Sequence, residues 1–122
     1  MTKILIGEDE EFIASLYKLE LEKHGVEVTM AGNGQEVLDA MEKETFDVLL
    51  LDLIMPGVDG FEVLKSLQTK KSQVPVLVLS NLSQAIDQNK CKELGAKDYI
   101  VKVDIDAPDV WKKVEKWLPA SR

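Results

Sequence analysis

The run Val48-Leu49-Leu50-Leu51 and the acid that follows it, Asp52, constrain this chain more than any other stretch. Four consecutive apolar residues without polar alternation suit a strand covered on both faces, as in a parallel sheet flanked by helices. A carboxylate directly after such a run has to sit at the strand's carboxyl end, because burying it mid-sheet without a partner costs on the order of several kcal/mol. The next residues cannot be helical. Pro56 restricts its own φ and pushes Met55 out of the helical region, while Gly57 and Asp59-Gly60 supply turn chemistry before a helix begins near Phe61. One Asp is thereby presented on a shaped loop at the rim of a sheet, a place for a nucleophile or a metal ligand.

The rest of the chain repeats this alternation. Lys3 to Gly7 reads as a first strand ending in Glu8-Asp9-Glu10-Glu11. A helix follows, with Ile13, Leu16, Tyr17 and Leu21 at helical spacing as its core stripe, Asp9 suited to cap it and Gly25 to stop it. Val26 to Ala31 is a second strand, Gly32-Asn33-Gly34 a turn, and Gln35 to Lys43 a second helix. The third helix runs from about Phe61 to Thr69, and Pro75 opens a fourth strand, Val76 to Leu79, that ends at Ser80-Asn81. A fourth helix spans roughly Ser83 to Leu94, stopping at Gly95, and Tyr99-Ile100-Val101 is a fifth strand ending at Lys102. A last helix carries Val110, Trp111, Val114, Trp117 and Leu118, with Asp106 and Asp109 suited to its first turn, where Pro108 is tolerated. Trp111 and Trp117 are expected in the core. Five alternations of apolar strand and helix imply an α/β fold, a doubly wound five-stranded parallel sheet with helices on both faces. The flavodoxin-like order 2-1-3-4-5 is borrowed from known folds of this kind, and it places a ligand site outside the carboxyl ends of strands one and three.

Composition narrows the function. At 122 residues and 45% hydrophobic the chain fills one domain, expected over residues 1–118 with a tail at 119–122. A net charge of -7 argues against direct nucleic-acid binding, which needs clustered Lys and Arg, and favours cations as partners. Cys91 is the single cysteine, and neither a signal segment nor a long apolar span is present, so a cytoplasmic location without membrane contact is expected.

The residues ending strands one, three, four and five are Glu8 and Asp9, Asp52, Ser80, and Lys102, and all should face one crevice. Singly each has an ordinary structural role, as a cap, a loop acid, a turn hydroxyl or a solvated cation. Together they do not, because carboxylates within about 5 Å repel by roughly 3 kcal/mol per pair at an effective dielectric of 20. A hard divalent ion that keeps waters and takes one or two carboxylates plus a phosphate is the natural counter-charge, which means Mg2+; without His or Cys in the cluster, zinc does not fit. A carboxylate beside Mg2+, with a hydroxyl and a lysine to receive oxygens, suits phosphoryl transfer onto Asp52.

The blocks Ile4-Leu5-Ile6-Gly7-Glu8-Asp9-Glu10, Leu50 to Gly60, Val78-Leu79-Ser80 and Gly95 to Lys102, in this order at these strand ends, resemble the receiver domain of two-component response regulators, as in single-domain chemotaxis regulators. The resemblance covers essentially the whole length. It implies a signalling switch that catalyses its own phosphorylation and dephosphorylation, taking a phosphoryl group on Asp52 from a sensor histidine kinase or phosphotransfer protein. It also implies that Asp9 and Asp52 bind Mg2+ directly, Glu8 through water and Ile54 through its backbone carbonyl. Ser80 would hydrogen-bond one phosphoryl oxygen, Lys102 would pair with another, and Tyr99 matches the aromatic switch position. A downstream effector or a dimer partner would meet the fourth helix, fifth strand and fifth helix. Two residues depart from the family pattern: Val103 stands where a cis proline usually follows the lysine, leaving that peptide's isomer open, and Asn81 replaces a small residue after Ser80. Two other classes compete. An unphosphorylated docking or dimerisation module is opposed by the intact acidic, hydroxyl and lysine set. A flavoprotein or haloacid-type phosphatase is opposed by the acidic first loop and by Ile54, where such a phosphatase would carry a second acid.

Overall fold

The computed structural model describes residues 1–82 and 84–119, so Ser83 and the expected tail residues Ala120 to Arg122 lie outside the described residues. The elements are β1 (Lys3–Gly7), α1 (Glu11–Glu22), β2 (Glu27–Ala31), α2 (Gly34–Lys43), β3 (Val48–Leu51), α3 (Gly60–Thr69), β4 (Val76–Ser80), α4 (Ala85–Glu93), β5 (Asp98–Val101) and α5 (Ala107–Glu115). The five strands pair in parallel in the order β2-β1-β3-β4-β5, the doubly wound arrangement expected.

Strand side chains alternate between two cores. Ile4, Ile6, Val48, Leu50, Leu77, Leu79 and Ile100 face α1 and α5, where Ala14, Leu21, Val110 and Val114 meet them. Leu5, Leu49, Leu51, Val76 and Val78 face the other way, onto Val37, Val63, Leu64, Leu67 and Cys91 of α2, α3 and α4. With apolar layers on both sides, the polar strand-end residues have one route to water, the carboxyl edge of the sheet.

Local chemistry sets the element ends. Asn33 Oδ1 accepts from Glu36 N at 2.9 Å and Asp59 Oδ1 from Glu62 N at 3.0 Å, capping α2 and α3 as short polar N-caps do. In α5, Asp106 N donates to Asp109 Oδ2 at 3.5 Å, with Pro108 in the first turn.

Four expectations need correction. Asp9 does not cap α1: the N-cap is Glu10, without a side-chain cap bond, and Asp9 is left exposed. Leu16 is not core. The buried line of α1 is Ala14, Tyr17 and Leu21, while Leu16, Phe12 and Leu19 form a second apolar stripe on the opposite side, 45%, 76% and 63% exposed. Helical spacing fits both stripes, and only contact with β1 and α5 selects one. α4 begins two residues later than expected, with Gln84 as N-cap. Trp117 lies beyond the end of α5 and is partly exposed, whereas Trp111 is half-buried and stacks on His24 with ring centroids 4.1 Å apart. No helix is long and apolar enough to cross a membrane among the described residues.

The two faces of α1 differ in energy. Leu21→Ala is expected to lower the free energy of unfolding by about 2–5 kcal/mol and Leu16→Ala by less than about 1 kcal/mol, measured by urea denaturation. Equal losses would return Leu16 to the core.

Candidate functional site

The sheet register delivers the acids to one point. Gly7 of β1 pairs with Leu51 of β3, and one residue further on Asp52 N donates to the Gly7 carbonyl at 2.9 Å. Glu8 N donates to the Ala31 carbonyl at the end of β2, at 3.0 Å. Glu8 and Asp52 thus each leave the sheet directly after a paired residue, and Asp9 follows on the rim. Carboxylate oxygens of Glu8, Asp9 and Asp52 all lie within 4.8 Å of one another; Glu8 and Asp52 are buried and Asp9 is exposed.

Lys102 enters this cluster from the far side of the sheet. Its Nζ donates to Glu8 Oε1 and, at 3.1 Å, to Asp52 Oδ2. Burial works against the ammonium, but the two carboxylates outweigh it and hold the Lys102 pKa above its ordinary value. Glu8 moves the other way. Burial pushes its carboxyl up to about 8, the neighbouring Asp52 carboxylate adds to the effect, and Lys102 only partly opposes it. Glu8 Oε2 is buried and finds no hydrogen-bond partner among the described residues. An orphaned buried acceptor beside two more carboxylates is an all-oxygen donor set for a hard divalent cation such as Mg2+, so the residues fit the metal.

The loop after β3 is anchored on the site. Ile54 N donates to Asp52 Oδ1 at 3.3 Å, while the Ile54 side chain points to solvent, 61% exposed. Gly60 N closes the loop on the Leu53 carbonyl at 2.9 Å, and a Cβ at Gly60 would meet the Asp52 carbonyl oxygen at 2.4 Å, which is why glycine starts α3. On the neighbouring strand Ser80 is fully buried and its Oγ accepts from Leu82 N at 3.3 Å; the Tyr99 hydroxyl donates to the Leu82 carbonyl at 2.5 Å. Burial raises the Tyr99 pKa, so the phenol stays a donor at neutral pH.

A response regulator receiver domain model matches residues 4–115. The chain belongs to that family. Among its relatives, the transcriptional regulatory protein YkoG of Bacillus subtilis is 43% identical over 99 residues, covering 81% of this chain and 43% of that protein. The alkaline phosphatase synthesis regulatory protein PhoP of the same organism is 40% identical over 100 residues, 82% of this chain and 42% of that protein. The chain therefore spans less than half the length of these relatives. Among solved structures, a Francisella response regulator receiver domain superposes with a TM-score of 0.90 at 28% identity, covering 96% of each chain. TrrA of Thermotoga maritima, solved with Mg(2+)-BeF, superposes with a TM-score of 0.85 at 31% identity over 97% of this chain and 100% of that one.

The receiver brings Glu8, Asp9, Asp52 and Lys102 into one cluster, and links Ser80 to Tyr99 through the Leu82 backbone. Lys102 opens a 3-10 turn, Lys102–Asp104, and no cis peptide occurs among the described residues, so the Lys102-Val103 bond is trans. Sequence reasoning missed two roles. Tyr17 was legible only as a core residue of α1, yet it lines the small cavity beneath Glu8, Asp52 and Lys102. Leu82 acts through its backbone, which no side-chain pattern can signal.

Removing the ammonium leaves proton uptake as the remaining relief for Glu8. In metal-free protein Lys102→Met is expected to destabilise more at pH 9.5 than at pH 5, by upwards of about 1 kcal/mol, because Glu8 is protonated at the lower pH and, beside Lys102, ionised at the higher. Thermal melts at the two pH values measure this; equal losses would mean that Lys102 does not offset acid repulsion.

Proposed function

We propose that this receiver is a phosphorylation-dependent switch whose phosphoacceptor is Asp52. The observation that carries this reading is the Asp52 carboxylate itself, held at a strand end by its backbone and by Ile54 N, with the Lys102 ammonium 3.1 Å from Oδ2. An Asp52 oxygen forms the bond to phosphorus as the bond from phosphorus to the donor's histidine nitrogen breaks, and the imidazole leaves with that electron pair. Lys102 then pairs with one phosphoryl oxygen and Ser80 hydrogen-bonds another. Glu8, Asp9, Asp52 and the Ile54 carbonyl are the groups that would hold Mg2+, which when bound supplies charge neutralisation for the phosphoryl oxygens.

The readout follows from the Ser80 contacts. An Oγ drawn toward a phosphoryl oxygen gives up Leu82 N, and Leu82 is the residue to which the Tyr99 hydroxyl is tied. α4 beside it has Cys91 as its single buried residue and carries Ile86 at 72% exposure, so little apolar burial resists its movement. The α4, β5 and α5 surface is accordingly the face offered to an effector or a second receiver.

Donor recognition has its own surface. Phe12, Leu16 and Leu19 line the outer side of α1, whose first turn lies two residues from Asp9. A histidine-bearing helix of a kinase or phosphotransfer protein seated on this stripe would present its phosphoryl group to the Asp52 edge.

Incubation with Mg2+ and a small acyl phosphate should add the mass of one phosphoryl group. Asp52→Asn should abolish the addition and Asp9→Asn should slow it at least about tenfold; incorporation that persists in Asp52→Asn would refute the assignment.

A phosphorylated phosphotransfer domain tests the α1 stripe. Phe12→Ser with Leu16→Ser should lower the rate from that protein donor relative to the small donor by about tenfold or more. An unchanged ratio would move the docking surface elsewhere.

A further inference from the structure

We infer that Gly34 is a positioning residue for the phosphorylation site: the absence of a side chain at the start of α2 sets where the loop after Asp52 lies. The inference rests on the function proposed above. A Cβ at Gly34 would meet the Val58 carbonyl oxygen at 1.9 Å, the Val58 carbonyl carbon at 2.7 Å and Val58 Cβ at 2.9 Å. Two of these are backbone atoms, so no change of rotamer relieves the contact, and the segments would have to part by about 1 Å. Gly34 is not among the glycines with positive φ, so close approach, not backbone conformation, is what calls for glycine here.

The loop is the side that yields. α2 is capped by Asn33 and pinned by Val37, which is fully buried and whose Cγ2 lies 2.7 Å from where a Cβ on Gly7 would stand. The loop, by contrast, turns through Pro56 and Gly57, the latter at φ +72, between the ends of β3 and α3. Its far end cannot absorb a displacement, because Gly60 N is tied to the Leu53 carbonyl at 2.9 Å and Gly60 is packed against the Asp52 backbone. A shift at Val58 therefore passes to Ile54, whose N–H holds Asp52 Oδ1.

The other side of Gly34 leads to the remaining acids. Three residues upstream, the Ala31 carbonyl accepts from Glu8 N. The segment 31–34 thus spans the two halves of the cluster, bonded to Glu8 at one end and in contact at the other with the loop that carries Asp52 and Ile54. Its closeness to Val58 sets how those halves face each other.

The test compares Gly34→Ala with Gly32→Ala, a control in the same turn whose Cβ would come no nearer than 3.9 Å to the Glu36 carboxylate. Mg2+ is titrated into each full chain by NMR, alongside the wild type, and phosphorylation by a small acyl phosphate is followed at each Mg2+ concentration. Gly34→Ala should raise half-saturating Mg2+ roughly tenfold, the scale expected when a group supporting a metal ligand is displaced. Its phosphorylation rate should recover toward wild type as Mg2+ saturates, and Gly32→Ala should stay within about twofold of wild type. An unchanged Gly34→Ala, or an equal rise in both variants, overturns the inference. The wild type decides independently should Gly34→Ala not fold: Mg2+ should move the Gly34 and Val58 amide signals together with Asp9 and Ile54. Movement at Asp9 and Ile54 with Gly34 and Val58 still overturns the inference alone, whereas no movement at Asp9, Asp52 or Ile54 overturns the proposed function beneath it.

Discussion

Glu8 and Asp52 emerge one residue beyond the ends of two adjacent strands, already shielded from water, and the Lys102 ammonium is the positive charge placed between them. Two buried carboxylates in contact repel, and burial alone disfavours each charge. Lys102 offsets part of this, yet Glu8 is still pushed up to about 8 and keeps an oxygen without a partner. The site is therefore held together with a remaining deficit of positive charge. That deficit is the charge a bound cation would supply.

Everything around the cluster serves to hold it rigidly at one edge and loosely at another. The β1, β3 and β4 strands are packed between two apolar layers, and close contacts that admit only glycine, at Gly34 and Gly60, press the loop after β3 against its neighbours. Little slack is left around Asp52. On the β5 side the situation reverses. α4 is polar, and its attachments include Cys91 in the core, Lys90 4.3 Å from the Phe61 ring centroid and the Glu93 carbonyl, which accepts from Gln68 Nε2 at 3.1 Å. Small free-energy changes can shift an element so lightly buried, while the sheet beneath it stays in place.

α1 joins these roles in one helix. Its inner stripe closes the core and places Tyr17 under the acids, while its outer stripe leaves Phe12, Leu16 and Leu19 in solvent. Exposed apolar residues are ordinary singly, but these three share one side of a helix that begins beside the acidic edge.

Apolar runs ending in Asp52 and Ser80, the acidic string after Gly7 and the turn residues at 56–60 are local signals. They were enough to read the alternating fold, its element order and the membership of Glu8, Asp9, Asp52, Ser80 and Lys102 in one edge, because strand direction and burial follow from neighbouring residues. Tertiary structure alone decided which apolar stripe of α1 is core, that Asp9 is left off the helix cap, that Tyr17 lines the site and that the Leu82 backbone joins Ser80 to Tyr99. The same holds for Gly34, which reads as one more turn glycine until Val58, 24 residues later in sequence, is found against it. Periodicity reports what a residue can do within its own element; a contact between distant segments depends on how the elements pack, and no local pattern carries it.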